Sequence, residues 1–130
     1  MLLLISGSRN SSASALAYAR KAVQRAHELG YSVIVGDALG IDDVVMSECH
    51  RLGIPCTIVG AYRRLRRRTP YCIPETVSGG YLVRDRYMAE QCDICLAIWN
   101  GKSKGTKATY DFAVEFGKTA WLKTFKEVVK

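Results

Sequence analysis

The chain lacks any stretch suited to a membrane or an export signal. The opening Leu2-Leu3-Leu4-Ile5 is far too short to span a bilayer, and no basic stretch precedes it. Histidine is scarce: His27 and His50 both fall within amphipathic helical patterns, and neither belongs to an HExxH or Ser-His-Asp order. That removes the support a protease or metal hydrolase would need. The five cysteines are an odd number with no small-domain disulfide framework around them, which places the chain in a reducing cytosol. Cys92 and Cys95 have the spacing of a redox or metal pair. Without a second pair or a nearby histidine, they read as buried strand cysteines, and no metal is expected. Internal repeats and linkers are also missing.

What is present describes one compact domain over residues 1–130. Hydrophobic residues make up 48%, enough to bury a real core and to exclude disorder. Apolar runs alternate with helical periods. Strands are expected at 2–5, 32–35, 56–59, 94–99 and 119–123. A first helix starts at a Ser11 or Ser12 cap and presents Leu16, Ala19, Val23 and Ala26 before ending at Gly30. Others are expected at 42–52, 82–91 and 106–116, and the tail adds a last turn. This order predicts an α/β, Rossmann-like three-layer fold with a mostly parallel sheet of about five strands.

Four glycine-bearing turns follow apolar runs: Ser6-Gly7-Ser8-Arg9, Gly36 to Asp42, Gly60, and Gly101 to Thr106. Three of them lead into helices. Such turns offer free backbone N–H groups and the positive end of a helix dipole. Lined along one sheet edge, they make a crevice for a phosphate-bearing ligand. The candidate ligand-binding residues are Ser6, Gly7, Ser8, Arg9, Gly36, Asp37, Gly40, Asp42, Arg84, Gly101, Gly105 and Thr106. The glycines serve either positive φ or ligand approach. Ser6, Ser8 and Thr106 offer hydroxyls, to a phosphate or as caps. Asp42 stands where a helix N-cap belongs, and its other role is to hold a ribose hydroxyl. Asp93 reads as structural. Trp99, at a strand end, is a candidate for stacking a base, for the core or for an oligomer contact.

The net charge of +7 is a local device. Removing Arg63, Arg64, Arg66, Arg67 and Arg68 leaves +2. These arginines sit in a segment from Ala61 to Gly80 with no clean period, holding Pro70 and Pro74, and long irregular segments of this kind are functional or mobile. Three readings stand: a solvated loop, a contact to a ligand phosphate or nucleic acid, and a contact to another subunit. We expect the segment to fold over the strand-three end of the crevice.

The turn Gly36-Asp37-Ala38-Leu39-Gly40-Ile41-Asp42 resembles that of the SLOG superfamily of Rossmann-like nucleotide-binding domains. That group includes the Lonely-guy phosphoribohydrolases, the DNA-processing protein A family and small stand-alone proteins. Gly7-Ser8-Arg9 is similar to the first turn of the small members. Arg84, Met88, Asp93 and Gly105-Thr106 follow the Lonely-guy order. The resemblance implies a nucleotide or nucleotide-derived ligand, no separate cofactor, and pairing into a homo-oligomer. It also implies a catalytic role for Arg84 if the chain cleaves a base–sugar bond.

The departures bear on that reaction. The last turn has Trp99-Asn100-Gly101 where the enzymes carry a proline and paired glycines. Gly105-Thr106 is followed by Lys107-Ala108-Thr109, with none of the family's glutamates. Cleaving an N-glycosidic bond needs a carboxylate near the anomeric carbon, and Asp37, Asp42, Asp85 and Asp111 are the substitutes at hand. Three functions therefore stand in order. The first is nucleotide binding without chemistry. The second is hydrolysis of a nucleoside monophosphate. The third is single-stranded nucleic-acid binding, with the arginines and Tyr62 and Tyr71 supplying charge and stacking.

Overall fold

The computed structural model describes residues 1–67 and 69–126. Arg68 and the turn expected of the tail at 127–130 lie outside the described residues. The elements run β1 (Leu2–Gly7), α1 (Ala13–Glu28), β2 (Ser32–Gly36), α2 (Ile41–Leu52), β3 (Cys56–Gly60), β4 (Ile73–Thr76), α3 (Tyr81–Gln91), β5 (Ile94–Trp99), α4 (Lys104–Glu115) and β6 (Thr119–Thr124). All strand pairs are parallel, in the order β4-β3-β2-β1-β5-β6.

Parallel strands need crossover connections; here all but the irregular β3–β4 one carry a helix, and those helices cover both faces. Alternate residues of each strand therefore feed two cores. Leu3, Ile5, Val33, Val35, Cys56 and Ile58 face α1 and α2. Leu4, Ile34, Val59 and Cys95 face Met88 and Ala89 of α3 and Ala113 of α4. The predicted inward residues of α1 hold: Ala19, Val23 and Ala26 are buried, and Leu16 packs against them. Ser12 is the cap, its side chain accepting the Ala15 N–H at 3.2 Å.

The sheet has six strands where the apolar runs predict about five. The extra one, β4, is Ile73-Pro74-Glu75-Thr76, an edge strand paired with β3 from Thr57↔Ile73 to Gly60↔Thr76. Its side chains are largely exposed, so it carries no apolar signal. Pro74 is tolerated because an edge strand has one side without ladder bonds.

The placement of β1 matters most. It lies between β2 and β5, and there the direction in which successive strands are added reverses. Crossovers leave that point toward opposite faces, so a crevice opens beyond the C-terminal ends of β1 and β5.

Candidate functional site

The crevice is a cleft of about 270 Å³. Ser6, Gly7, Arg9, Gly36, Asp42, Arg84, Gly105 and Thr106 line it, so most of the predicted site residues converge. Ala38, Arg66, Tyr81, Asp85, Met88 and Ser103 complete the wall. A larger groove of about 530 Å³ lies between α1 and β6, lined by side chains such as Leu3, Tyr18, Leu96 and Trp121. Its lining is mostly apolar and its charged members, Lys21 and Arg25, are both on α1 with no acid lining the groove beside them, so the smaller cleft is the chemical candidate.

Arg84 organises the cleft floor. It rises from α3 and is buried. Its Nε donates to Asp85 Oδ1 at 2.8 Å, and its Nη1 donates to Asp37 Oδ1 at 3.0 Å and to the Val59 carbonyl at 3.2 Å. The guanidinium lies close against Gly36: a Cβ there would stand 2.7 Å from Nη1 and 2.9 Å from Asp42 Oδ2. Gly36 thus clears space for the arginine. Gly7 does the same for Ile41, whose Cβ would be 2.2 Å from an added methyl.

Gly40 is the residue the β2 turn needs for its backbone. Its φ is +79°, and a Cβ would meet the Arg9 carbonyl oxygen at 2.4 Å. It is also the cap position of α2, which corrects the reading of Asp42 as N-cap. Asp42 is the second helical residue and turns back to accept the Ala38 N–H at 3.1 Å. Burial pushes its carboxyl up to about 7, against the pull of Arg84. Asp85 is also raised by burial, with Arg84 opposing.

Asp37 does not line the cleft. It is buried beneath it and accepts from the Arg66 backbone N–H at 2.7 Å, Arg66 Nε at 3.0 Å and Arg66 Nη2 at 2.8 Å, besides Arg84. Burial pushes this carboxyl up, but the hydrogen bonds and charge of Arg66 and the charge of Arg84 outweigh it, and the net shift is downward. Asp37 therefore pins the arginine segment over the β3 end of the crevice, where the sequence placed it. Within that segment Arg67 pairs with Asp43 at 3.0 Å, while Arg63 and Arg64 are exposed.

The remaining predicted residues serve the frame. Ser8 is buried, and its Oγ accepts the Asn100 N–H at 3.1 Å, tying the β1 turn to the β5 turn. Gly101 is a turn residue with φ +83° and open space around it, outside the cleft. The Trp99 indole N–H donates to the Ser103 carbonyl at 2.8 Å, and the ring does not line the cleft. Asp93 accepts the Leu2 N–H at 2.7 Å, the structural role expected of it. Asp111 pairs with Lys107 on the exposed side of α4, away from the cleft.

The start of α4 closes one end of the cleft. Ser103 caps it, accepting the Thr106 N–H at 3.3 Å, and its hydroxyl lies 3.0 Å from that of Thr106. The Thr106 amide is thus taken by the cap. The Gly105 amide, one residue earlier, has no helical carbonyl within reach. A cationic wall (Arg9, Arg66, Arg84) faces this helix end. Sequence reasoning missed Tyr81 and Ser103 and left Asp85 unplaced. Adjacency to Arg84 was the available signal for Asp85. Tyr81, directly after Gly79-Gly80, carried none.

Fold and cleft together define a Rossmann-like α/β protein with a polar cleft at the sheet's switch point, the architecture that the turn motifs resemble. No family model matches the chain, and no curated protein matches it in sequence. Solved structures do match. The molybdenum cofactor carrier protein from Chlamydomonas reinhardtii superposes with a TM-score of 0.76 at 19% identity, over 95% of this chain and 77% of that one. The molybdenum cofactor binding protein from the phototrophic bacterium Rippkaea orientalis gives 0.79 at 15%, over 96% and 77%. DNA processing protein A from Helicobacter pylori, described for its single-stranded DNA binding mode, gives 0.73 at 15%, over 94% and 64%. At these identities the likeness is one of fold.

Proposed function

We propose that the cleft binds a small phosphate-bearing ligand of the nucleotide class. The observation that carries this reading is the meeting of Arg9, a lining arginine with no acidic partner among the described residues, with the free Gly105 amide at the start of α4, at the sheet's switch point. Ser6 and Thr106 add hydroxyls. Fold neighbours named for binding a molybdenum cofactor and single-stranded DNA support ligand binding as the class of function, without selecting the ligand. The volume suits a mononucleotide better than an extended strand. Two of the arginines once candidates for nucleic acid, Arg66 and Arg67, are already paired with Asp37 and Asp43. The reading takes the protein as cytoplasmic and self-pairing, and light scattering on a size-exclusion column tests the pairing.

The test of the site is Thr106→Asp. A carboxylate there repels an anion at the helix end, and calorimetry with AMP should show binding abolished. Unchanged affinity refutes the placement. Native mass spectrometry of protein purified from cells would identify a retained ligand directly.

A second reading has one observation behind it. Asp42 and Asp85 both line the cleft, and a carboxyl near 7 suits general acid–base work. Hydrolysis of a nucleoside monophosphate would then proceed with Arg84 holding Asp85 and the Ala38 N–H holding Asp42 in place. Release of free adenine from AMP, lost in Asp42→Asn, is its signature. No release from AMP or the other common nucleoside monophosphates leaves binding as the function.

A further inference from the structure

We propose that Tyr81 and Arg66 form a stacking platform for a planar ring, so that the ligand joins an anion at the α4 end to an aromatic heterocycle at the α3 end. This rests on the reading of the cleft as a small-molecule site and specifies which half of the ligand each wall takes.

Tyr81 is the first residue of α3, lines the cleft, and keeps 37% of its surface exposed. A tyrosine left open on a cleft wall, among arginines, is poised for stacking. The Arg66 guanidinium lies over its ring, 4.2 Å from the centroid, and that of Arg84 is 5.2 Å away. The Tyr62 ring stands perpendicular to it, with the centroids 5.5 Å apart. Tyr81 is therefore packed against one aromatic and one planar cation.

Arg66 is itself immobilised. Its backbone N–H, Nε and Nη2 are all bonded to the buried carboxylate of Asp37. A guanidinium fixed by its edge keeps its flat faces for planar groups. The Arg66 side chain lines the cleft and is 29% exposed. The charge of Arg66 is already matched by Asp37, so what it adds to the cleft is a flat polarisable surface more than a free charge. Phosphate recognition falls to Arg9 and the α4 end. Trp99, the other aromatic near the strand ends, is tied to Ser103 and cannot take this part.

The experiment compares AMP with ribose 5-phosphate by calorimetry on the whole chain, so that the ring's contribution is read separately from the phosphate's. AMP should bind about tenfold tighter or more, the order expected for stacking one base on an aromatic platform. Tyr81→Leu should remove that advantage and leave ribose 5-phosphate affinity unchanged. Arg66→Lys keeps the charge and a bond to Asp37 but loses the plane, and should act in the same direction. Thermal melts of each variant confirm folding, and either variant alone suffices for the test. Equal affinity for the two probes in the parent, or an AMP advantage that survives both substitutions, overturns the platform while leaving the phosphate site intact. Failure of both probes to bind overturns the platform together with the underlying reading.

Discussion

Replacing Asp42 by asparagine should make the protein more stable, and increasingly so as pH rises. Asp42 is 5% exposed, and burial carries its carboxyl from 3.8 to about 7. The charged form is therefore disfavoured by about 4 kcal/mol, at 1.36 kcal/mol for each pH unit. Below about pH 4 the group is protonated in both folded and unfolded chains and costs nothing. Between 4 and 7 the unfolded chain has ionised and the folded one has not, so stability falls as pH rises. Above 7 the full cost stands. Asparagine keeps an oxygen to accept the Ala38 N–H and cannot ionise.

The assay is urea unfolding of both proteins at pH 5 and pH 8. About 3 kcal/mol of the cost falls in that window. With a slope of about 2 kcal/mol per molar urea, the midpoint of Asp42→Asn should gain roughly 1.5 M on the parent between the two pH values. Other titrations, including that of Asp85, occur in both proteins and cancel in the difference. Midpoints that move in parallel would refute the assignment of a buried, neutral Asp42.

Three further outcomes follow from the geometry. Gly7→Ala forces a methyl into Ile41 and should cost about 1–3 kcal/mol in denaturant unfolding, as overpacking does. Gly36→Ala pushes against the Arg84 guanidinium and the Asp42 carboxylate, so AMP affinity should fall about tenfold in calorimetry, in line with losing a charge-assisted contact. Single-stranded DNA binding should be weak and shallow in salt. Of the four described arginines of the loop only Arg63 and Arg64 lack acidic partners, and two contacts give a log–log slope of about −1.4; a slope near −3 in a filter-binding titration would promote the nucleic-acid reading.

The elements that bury both faces were legible because burial leaves a composition signal. The strand Ile94–Trp99 is continuously apolar, and the period of α1 names its own inward face. β4 was not legible, since an exposed edge strand with a proline looks like loop. The turns likewise marked the crevice, but not which residue of each turn reaches it. Asp37 and Asp42 both read as ligand acids from the sequence. Which one is buried beneath Arg66 and which lines the cleft depends on a side chain arriving from a loop 29 residues away. The same holds for the arginine run. Arg66 and Arg67 differ from Arg63 and Arg64 only in having Asp37 and Asp43 within reach, a tertiary fact without a local trace.

The fate of Asp37 changes how the cleft's charge should be counted. The glycine-rich turn spends this acid on the protein's own arginines, so Arg66 and Arg84 arrive at the cleft already balanced by Asp37 and Asp85. Arg9 is then the lining cation without an acidic partner among the described residues, and Asp42 is the lining acid whose charge varies near neutral pH. With Asp42 protonated, the lining as a whole keeps one more positive charge. With Asp42 ionised, it carries one more negative charge. An anionic ligand therefore favours the protonated form and raises the Asp42 carboxyl further, which by linkage means proton uptake on binding and weaker affinity above pH 7. One buried carboxyl thus couples fold stability and anion capture with the same sign of pH dependence, because both depend on keeping a second negative charge out of the space between Gly36 and Arg84.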